Sequence, residues 1–98
     1  MEKLVRDRIP EIVTADRGRE APFRTASRTE YLSFLMEKLK EEVAEFLESR
    51  EPAELADIME VVYHLAGEAG ISPRQLEKLR ARKAEERGGF GERKVMDF

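Results

Sequence analysis

The sequence contains no cysteine and only one histidine among its 98 residues. Without cysteine the chain forms neither disulfides nor thiolate zinc sites, and it offers no thiol nucleophile. A Ser-His-Asp site would depend on His64 alone, and no nucleophile-elbow motif accompanies that residue. Walker-type and GxGxxG glycine loops are also absent, so a nucleotide would have to be held by a metal ion and cationic side chains.

Long apolar runs and a basic charge excess are absent as well. No apolar run approaches the roughly 20 residues that a transmembrane helix requires. The N-terminal stretch differs from a signal peptide because it carries Glu2, Lys3, Arg6 and Asp7. The net charge of -3 argues against nucleic-acid binding. We therefore expect a soluble, cytoplasmic protein with neither a membrane nor a nucleic-acid partner.

The composition favours amphipathic helices. Hydrophobic residues make up 41% of the chain and charged residues 40%, a balance that suits helices with wide solvated faces and a core shared across a dimer. The length indicates a single domain, residues 1–98.

Hydrophobic spacing, capping boxes and helix-stop glycines predict an all-α helical bundle with one short N-terminal helix and three longer helices. The predicted helices run from Asp7 or Arg8 to before Gly18, from Ser27 to about Glu48, from Pro52 to about Ala69, and from Ser72 to Gly88. We also predict a small extended pairing of Pro22–Thr25 with the C-terminal tail, Phe90–Phe98.

The second predicted helix has a carboxylate inside its apolar face. Its apolar positions recur with the 3.6-residue period of a helix and are Tyr31, Leu32, Leu35, Met36, Leu39, Val43, Phe46 and Leu47. Glu42 falls inside this stripe, Glu45 at its edge and Glu41 further out. A carboxylate in an apolar stripe is costly unless it is paired or bound to a metal. Glu42 is therefore a candidate metal ligand.

The third predicted helix supplies a second pair of carboxylates, Glu54 and Asp57. Like Glu42 and Glu45, they are spaced i, i+3 and so share one helix face. The short break between the helices makes them antiparallel neighbours, which brings the two pairs together. Four carboxylates would repel one another without a divalent cation, and oxygen ligands suit Mg²⁺. The alternative is a solvated acidic surface.

The third helix also has an apolar arc wider than contact with one neighbouring helix needs. The residues predicted to face inward are Leu55, Ile58, Met59, Val62, Leu65, Ala66 and Ala69. Glu54 and Asp57 lie on one flank of this arc, beside Val61. His64 falls on the polar side, where a surface or interface role is expected.

Two groups of cations have two interpretations each. Lys83 and Arg87, spaced i, i+4 before Gly88, either stabilise the negative end of the helix macrodipole or bind phosphates. Lys3, Arg6 and Arg8 present the same two alternatives, and nothing in their local sequence separates them.

The pattern Glu42-x-x-Glu45 followed by Glu54-x-x-Asp57 resembles the ExxE…ExxD signature of the all-α nucleoside triphosphate pyrophosphohydrolases. This superfamily includes MazG, dimeric dUTPases and phosphoribosyl-ATP pyrophosphohydrolase. The segments Lys3–Pro10 and Lys83–Phe90 look like motifs of its small MazG-like "house-cleaning" branch. The resemblance covers nearly the whole chain, with the motifs in the expected order.

The resemblance implies Mg²⁺-dependent hydrolysis of the α–β phosphoanhydride of a nucleoside triphosphate, giving the monophosphate and pyrophosphate. It implies metal binding by the four motif carboxylates, Glu42, Glu45, Glu54 and Asp57, with Mn²⁺ as a substitute ion. It assigns Glu41 an assisting role with Glu42 at the catalytic centre, and Lys83 and Arg87 a role in phosphate binding. It also implies a homodimer or a dimer of dimers.

The position one turn after Asp57 departs from some relatives, because it is Glu60 or Val61 rather than Asn or Lys. Base recognition is therefore not predicted, although modified or aberrant nucleotides are the expected substrates. The sequence leaves two alternatives. One is phosphoribosyl-ATP hydrolysis in histidine synthesis, which the segment Lys3–Asp7 disfavours, and the other is a non-catalytic helical dimerisation or regulatory module.

Overall fold

The computed structural model describes residues Met1–Phe98 and contains four α-helices and no strands. These are α1, Ile9–Arg17; α2, Arg28–Ser49; α3, Pro52–Glu68; and α4, Pro73–Arg87. The predicted all-α fold, with one short helix and three longer ones, is confirmed. None of the four helices is both long enough and apolar enough to cross a bilayer.

The helix ends follow the capping signals in the sequence. The hydroxyls of Ser27 and Ser72 accept hydrogen bonds from the backbone N–H groups of Glu30 and Gln75. In return, the side chains of Glu30 and Gln75 accept hydrogen bonds from the two serine N–H groups. Both predicted capping boxes are therefore formed, and they fix where α2 and α4 begin.

Helices α2 and α3 form a hairpin that contains most of the packing. They are joined by Arg50 and Glu51 alone, and Arg50 adopts a left-handed conformation with φ of 60°. Pro52 then occupies the first turn of α3, where its missing N–H costs nothing. Helix α4 contacts only α3, and no Cα atom of α1 lies within 8 Å of a Cα atom in another helix.

Only four residues are buried, and they show which faces meet. Leu35 and Glu42 of α2 are buried, as are Val61 and Ala66 of α3. The face of α3 that meets α2 is therefore the flank that carries Val61. The prediction that Leu55 and Met59 face inward is wrong for the isolated chain, because they are 45% and 52% exposed.

The apolar stripe of α2 is divided in the same way. Leu35 is buried, whereas the neighbouring side of the helix leaves four large apolar residues exposed, namely Leu32, Met36, Val43 and Leu47. The chain exposes 8907 Å² of surface, whereas a compact protein of this mass exposes about 5,700 Å². Its radius of gyration is 17.3 Å, against about 13 Å for a compact domain of this length. One copy of the chain thus leaves much apolar surface uncovered.

The predicted pairing of Pro22–Thr25 with the C-terminal tail is wrong. Neither segment forms a strand, and the tail side chains Phe90, Val95 and Phe98 are almost fully exposed. The loop is held instead by Arg24, whose guanidinium donates hydrogen bonds to both carboxylate oxygens of Glu2 and of Glu30. Charge pairing within the N-terminal half replaces the backbone pairing that was expected.

This Arg24 cluster predicts acid sensitivity. Hydrogen bonds from Arg24 and, to a smaller extent, from the backbone N–H of Ser27 lower the pKa of Glu30 from 4.5 to about 2, and Arg24 lowers the pKa of Glu2 as well. Because these pKa values are depressed by folding, the stabilisation is complete above about pH 4.5 and is lost as the pH falls through the folded-state values. The melting temperature of the wild type should therefore fall more steeply below that pH than the melting temperature of Arg24→Gln. If the melting temperatures of the two proteins fall in parallel as the pH is lowered, Arg24 is not the source of the acid sensitivity.

Candidate metal centre

Glu42 is the centre of the candidate site. It is the one charged residue among the four buried ones, with 7% exposure, and it faces α3 from the middle of α2. Its Oε1 lies 3.5 Å from Nζ of Lys38, while its Oε2 is buried and has no hydrogen-bond partner. Burial raises the pKa of Glu42, and the neighbouring Glu45 carboxylate raises it further, whereas Lys38 opposes both effects. The cost of burying an ionised Glu42 is therefore only partly offset by Lys38, and a bound cation would offset the rest.

Four further carboxylates surround Glu42 in two groups. One group joins Glu42 to Glu54 and Asp57 of α3, and the other joins it to Glu41 and Glu45 of α2. Within each group, one oxygen from each residue lies within 4.8 Å of the others. Opposite ligands of a single Mg²⁺ are about 4.2 Å apart, so small side-chain rotations bring either group to coordination distance. The structure thus places the other three predicted metal ligands, Glu45, Glu54 and Asp57, together with Glu41 around the buried carboxylate of Glu42.

Three cations face this cluster, and two of them come from the N-terminal segment. Nζ of Lys3 lies 2.9 Å from Oε1 of Glu41, and Nη2 of Arg6 lies 2.6 Å from Oδ1 of Asp57. The hydrogen bond from Lys3 is the main cause that lowers the pKa of Glu41, and the same contact raises the pKa of Lys3. Helix-end stabilisation does not describe Lys3 and Arg6, because both are paired with the candidate site.

The third cation, Lys38, was not predicted. It is only 18% exposed and bridges Glu41, at 3.3 Å, and Glu42, at 3.5 Å. The sequence does carry a signal for it, since a lysine four residues before a carboxylate lies on the same helix face. Lys38 therefore neutralises part of the cluster from within α2 itself.

A cleft of about 360 Å³ lies between the N-terminal segment, α2 and α3, with Glu42 and Asp57 in its wall. Leu4, Ile9 and Val61 contribute apolar surface to it. His64 also lines the cleft, and its Nε2 lies 2.9 Å from Oε2 of Glu60. His64 was expected at a surface or interface. It is 54% exposed, as expected for a surface residue. Its position in the wall of the cleft was not predicted.

Lys83 and Arg87 lie elsewhere. Both are exposed on α4, neither lines the cleft, and neither forms an ion pair with a carboxylate of the chain. Since α4 contacts only α3, the structure of one chain does not bring these two residues to the carboxylate cluster.

The chain was also compared with known proteins. No protein-family model matches it, and no solved structure matches it. An uncharacterized protein of Mycolicibacterium smegmatis is 56% identical over 45 residues. That match covers 46% of this chain and 45% of the relative, so the chain spans less than half the length of the curated relative that it matches. The similarity establishes neither a family nor an activity.

Proposed function

We propose that this protein is a Mg²⁺-dependent nucleoside triphosphate pyrophosphohydrolase of the MazG-like type. The observation that carries the proposal is the buried Oε2 of Glu42, which has no partner and is surrounded by other carboxylates. A solvated acidic surface would not bury a carboxylate that burial and like charge both penalise. Modified or aberrant nucleotides are the proposed substrates.

The donor set fits a hard divalent cation. Glu42, Glu45, Glu54 and Asp57 would hold Mg²⁺, or Mn²⁺ in its place, entirely through oxygen ligands. The bound ion would supply Lewis acidity and lower the pKa of a coordinated water. The side chain of Glu42 would then have the compensating charge that its burial requires.

The other side chains perform two tasks in the proposed reaction. Glu41 is held by Lys38 of the same helix, so its carboxylate is positioned to accept a hydrogen bond, and then a proton, from the attacking water. Water forms a bond to the α-phosphorus and gives up a proton to Glu41, while the bond from that phosphorus to the α–β bridging oxygen breaks and pyrophosphate leaves with that oxygen. Cations that face the cleft stabilise the charge that develops on this leaving group.

The uncovered apolar surface supports a homodimer or a dimer of dimers as the assembly. The excess over a compact monomer is about 3,000 Å² for each chain, so two chains together have more than enough excess surface to form an obligate homodimer interface of about 2,000–5,000 Å² in total. The exposed stripe of α2 and the exposed Leu55 and Met59 of α3 provide apolar faces for such an interface.

A charged substitution in the exposed stripe of α2 tests the assembly. Met36→Glu is expected to shift the sedimentation velocity from an oligomer to a monomer, because it places a charge in the proposed interface. Glu48→Lys is the matched control, since Glu48 is exposed and lies about 100° or more around the helix from every residue of the exposed stripe. A wild type that sediments as a monomer at micromolar concentration would contradict the proposal.

The activity is tested with a panel of standard and modified nucleoside triphosphates. The expected result is release of pyrophosphate and monophosphate from some of them in Mg²⁺ or Mn²⁺, and none in the presence of a chelator. Phosphoribosyl-ATP is assayed beside them, and its exclusive hydrolysis would favour the alternative enzyme. No metal-dependent release from any substrate would favour a non-catalytic dimerisation or regulatory module.

A further inference from the structure

The N-terminal segment places two cations on carboxylates that would serve the metal ion. Arg6 pairs with Asp57 at 2.6 Å, and Lys3 pairs with Glu41 at 2.9 Å. Both pairs join residues far apart in sequence, so they form only when the segment lies across the α2–α3 hairpin. This contact is separate from the burial of Glu42 Oε2, which independently points to a cation at the same place.

These two ion pairs are weak enough to exchange. The side chains of Arg6 and Lys3 are 55% and 59% exposed, and exposed ion pairs contribute about 0–1 kcal/mol. Lys38 differs, because it is mostly buried and fixed to the same helix as its partners. A metal ion that competes for these carboxylates would therefore separate the Arg6–Asp57 and Lys3–Glu41 pairs before it displaced Lys38.

The surroundings of the segment leave room for such a change. Residues Leu4 to Asp7 line both the 360 Å³ cleft and a second cavity of about 700 Å³. Helix α1, which follows directly, has no helix within 8 Å between Cα atoms. A small movement of the segment would therefore break few packing contacts.

Charge balance indicates where the two cations go. Five carboxylates and three cations leave the cluster with a formal charge of two negative units, and a divalent ion carries the same two positive charges as Arg6 and Lys3, so it can replace them without changing that charge. Released from Asp57 and Glu41, Arg6 would lie at the 360 Å³ cleft and Lys3 at the cavity of about 700 Å³, each without a partner. A polyphosphate chain supplies the matching anionic groups, and a guanidinium binds phosphate through two parallel hydrogen bonds.

We propose that Arg6 and Lys3 are phosphate-binding residues that pair with Asp57 and Glu41 until metal and a triphosphate bind, and then pair with the phosphates. This inference rests on the proposed function, and it assigns to the N-terminal segment the role that the sequence suggested for Lys83 and Arg87. It predicts opposite effects on two affinities when one of these cations is removed. Loss of the competing cation strengthens metal binding, and loss of the phosphate partner weakens triphosphate binding.

The test is calorimetric titration of the full chain, first with Mn²⁺ alone and then with inorganic triphosphate in saturating Mn²⁺. Arg6→Gln is expected to bind Mn²⁺ about 3- to 5-fold more tightly, the factor that corresponds to a good exposed ion pair. It is expected to bind triphosphate about 10-fold or more weakly, because a charge-assisted hydrogen bond is lost. Lys3→Gln should shift both affinities in the same directions, and Arg6→Lys should recover part of the triphosphate affinity.

Arg19→Gln is the matched control, because Arg19 is exposed and lines neither cavity. Circular dichroism verifies that each variant is folded. If the wild type binds Mn²⁺ and Arg6→Gln binds both ligands equally well or both more weakly, the proposal is overturned. A wild type that binds no Mn²⁺ instead overturns the proposed function on which the inference rests.

Discussion

Replacement of Glu42 with glutamine is expected to lower kcat/KM for metal-dependent pyrophosphate release by about 1,000-fold or more. Glutamine has nearly the same shape but no negative charge, so the buried ligand of the proposed metal is lost while the packing is kept. The variant should also bind Mn²⁺ far more weakly than the wild type. The readout is the initial rate of pyrophosphate release, measured over a range of metal and substrate concentrations.

Glu48→Gln is the control for this result. Glu48 is exposed near the end of the same helix and belongs to neither carboxylate group. It should retain the wild-type rate, because only a solvated charge is removed. Full activity in Glu42→Gln would show that the buried carboxylate has no part in catalysis.

Replacement of the same residue with methionine is expected to stabilise the metal-free protein. The ionised Glu42 is buried, has one oxygen without a partner and lies beside Glu45. Well-packed apolar residues in place of buried charges often stabilise proteins by about 1–4 kcal/mol. For a domain of this size, each kcal/mol raises the melting temperature by about 4–8 °C. Lys38 retains Glu41 as a partner, so the substitution leaves no cation unpaired.

Glu48→Met is the matched control for stability, and it should change the free energy of unfolding by less than about 0.5 kcal/mol because the site is exposed. Both proteins are melted in the presence of a chelator. A gain in stability together with a loss of activity is the pattern of a residue kept for function. A large loss of stability in Glu42→Met would mean instead that the carboxylate serves the fold.

Local sequence signals predicted the helices well. The serine capping boxes, the proline at the start of α3 and the glycines after α1 and α3 each act within a few residues, so their effect can be inferred from sequence. The burial of Glu42 was also predictable, because its angular position in α2 follows from helix periodicity alone.

Contacts between distant segments were not predictable. The pairing of Arg6 with Asp57 joins residues 51 positions apart, and no periodic pattern specifies it. The inward face of α3 was assigned only in part, since Ala66 is buried but Leu55 and Met59 are exposed, because periodicity shows which residues are apolar but not which neighbour covers them. Leu55 and Met59 are exposed because no other part of the same chain covers them. The position of α4, and with it the role of Lys83 and Arg87, depends on the same kind of tertiary information.

Calorimetric titration of the chelator-treated wild type with Mn²⁺, beside Asp57→Asn, most directly tests whether the carboxylates form a metal centre. The expected result is saturable binding by the wild type that is lost or strongly weakened in Asp57→Asn. The same titration of Glu48→Gln should reproduce the wild-type curve. No binding by the wild type, or equal binding by wild type and Asp57→Asn, would show that the cluster is only an acidic surface.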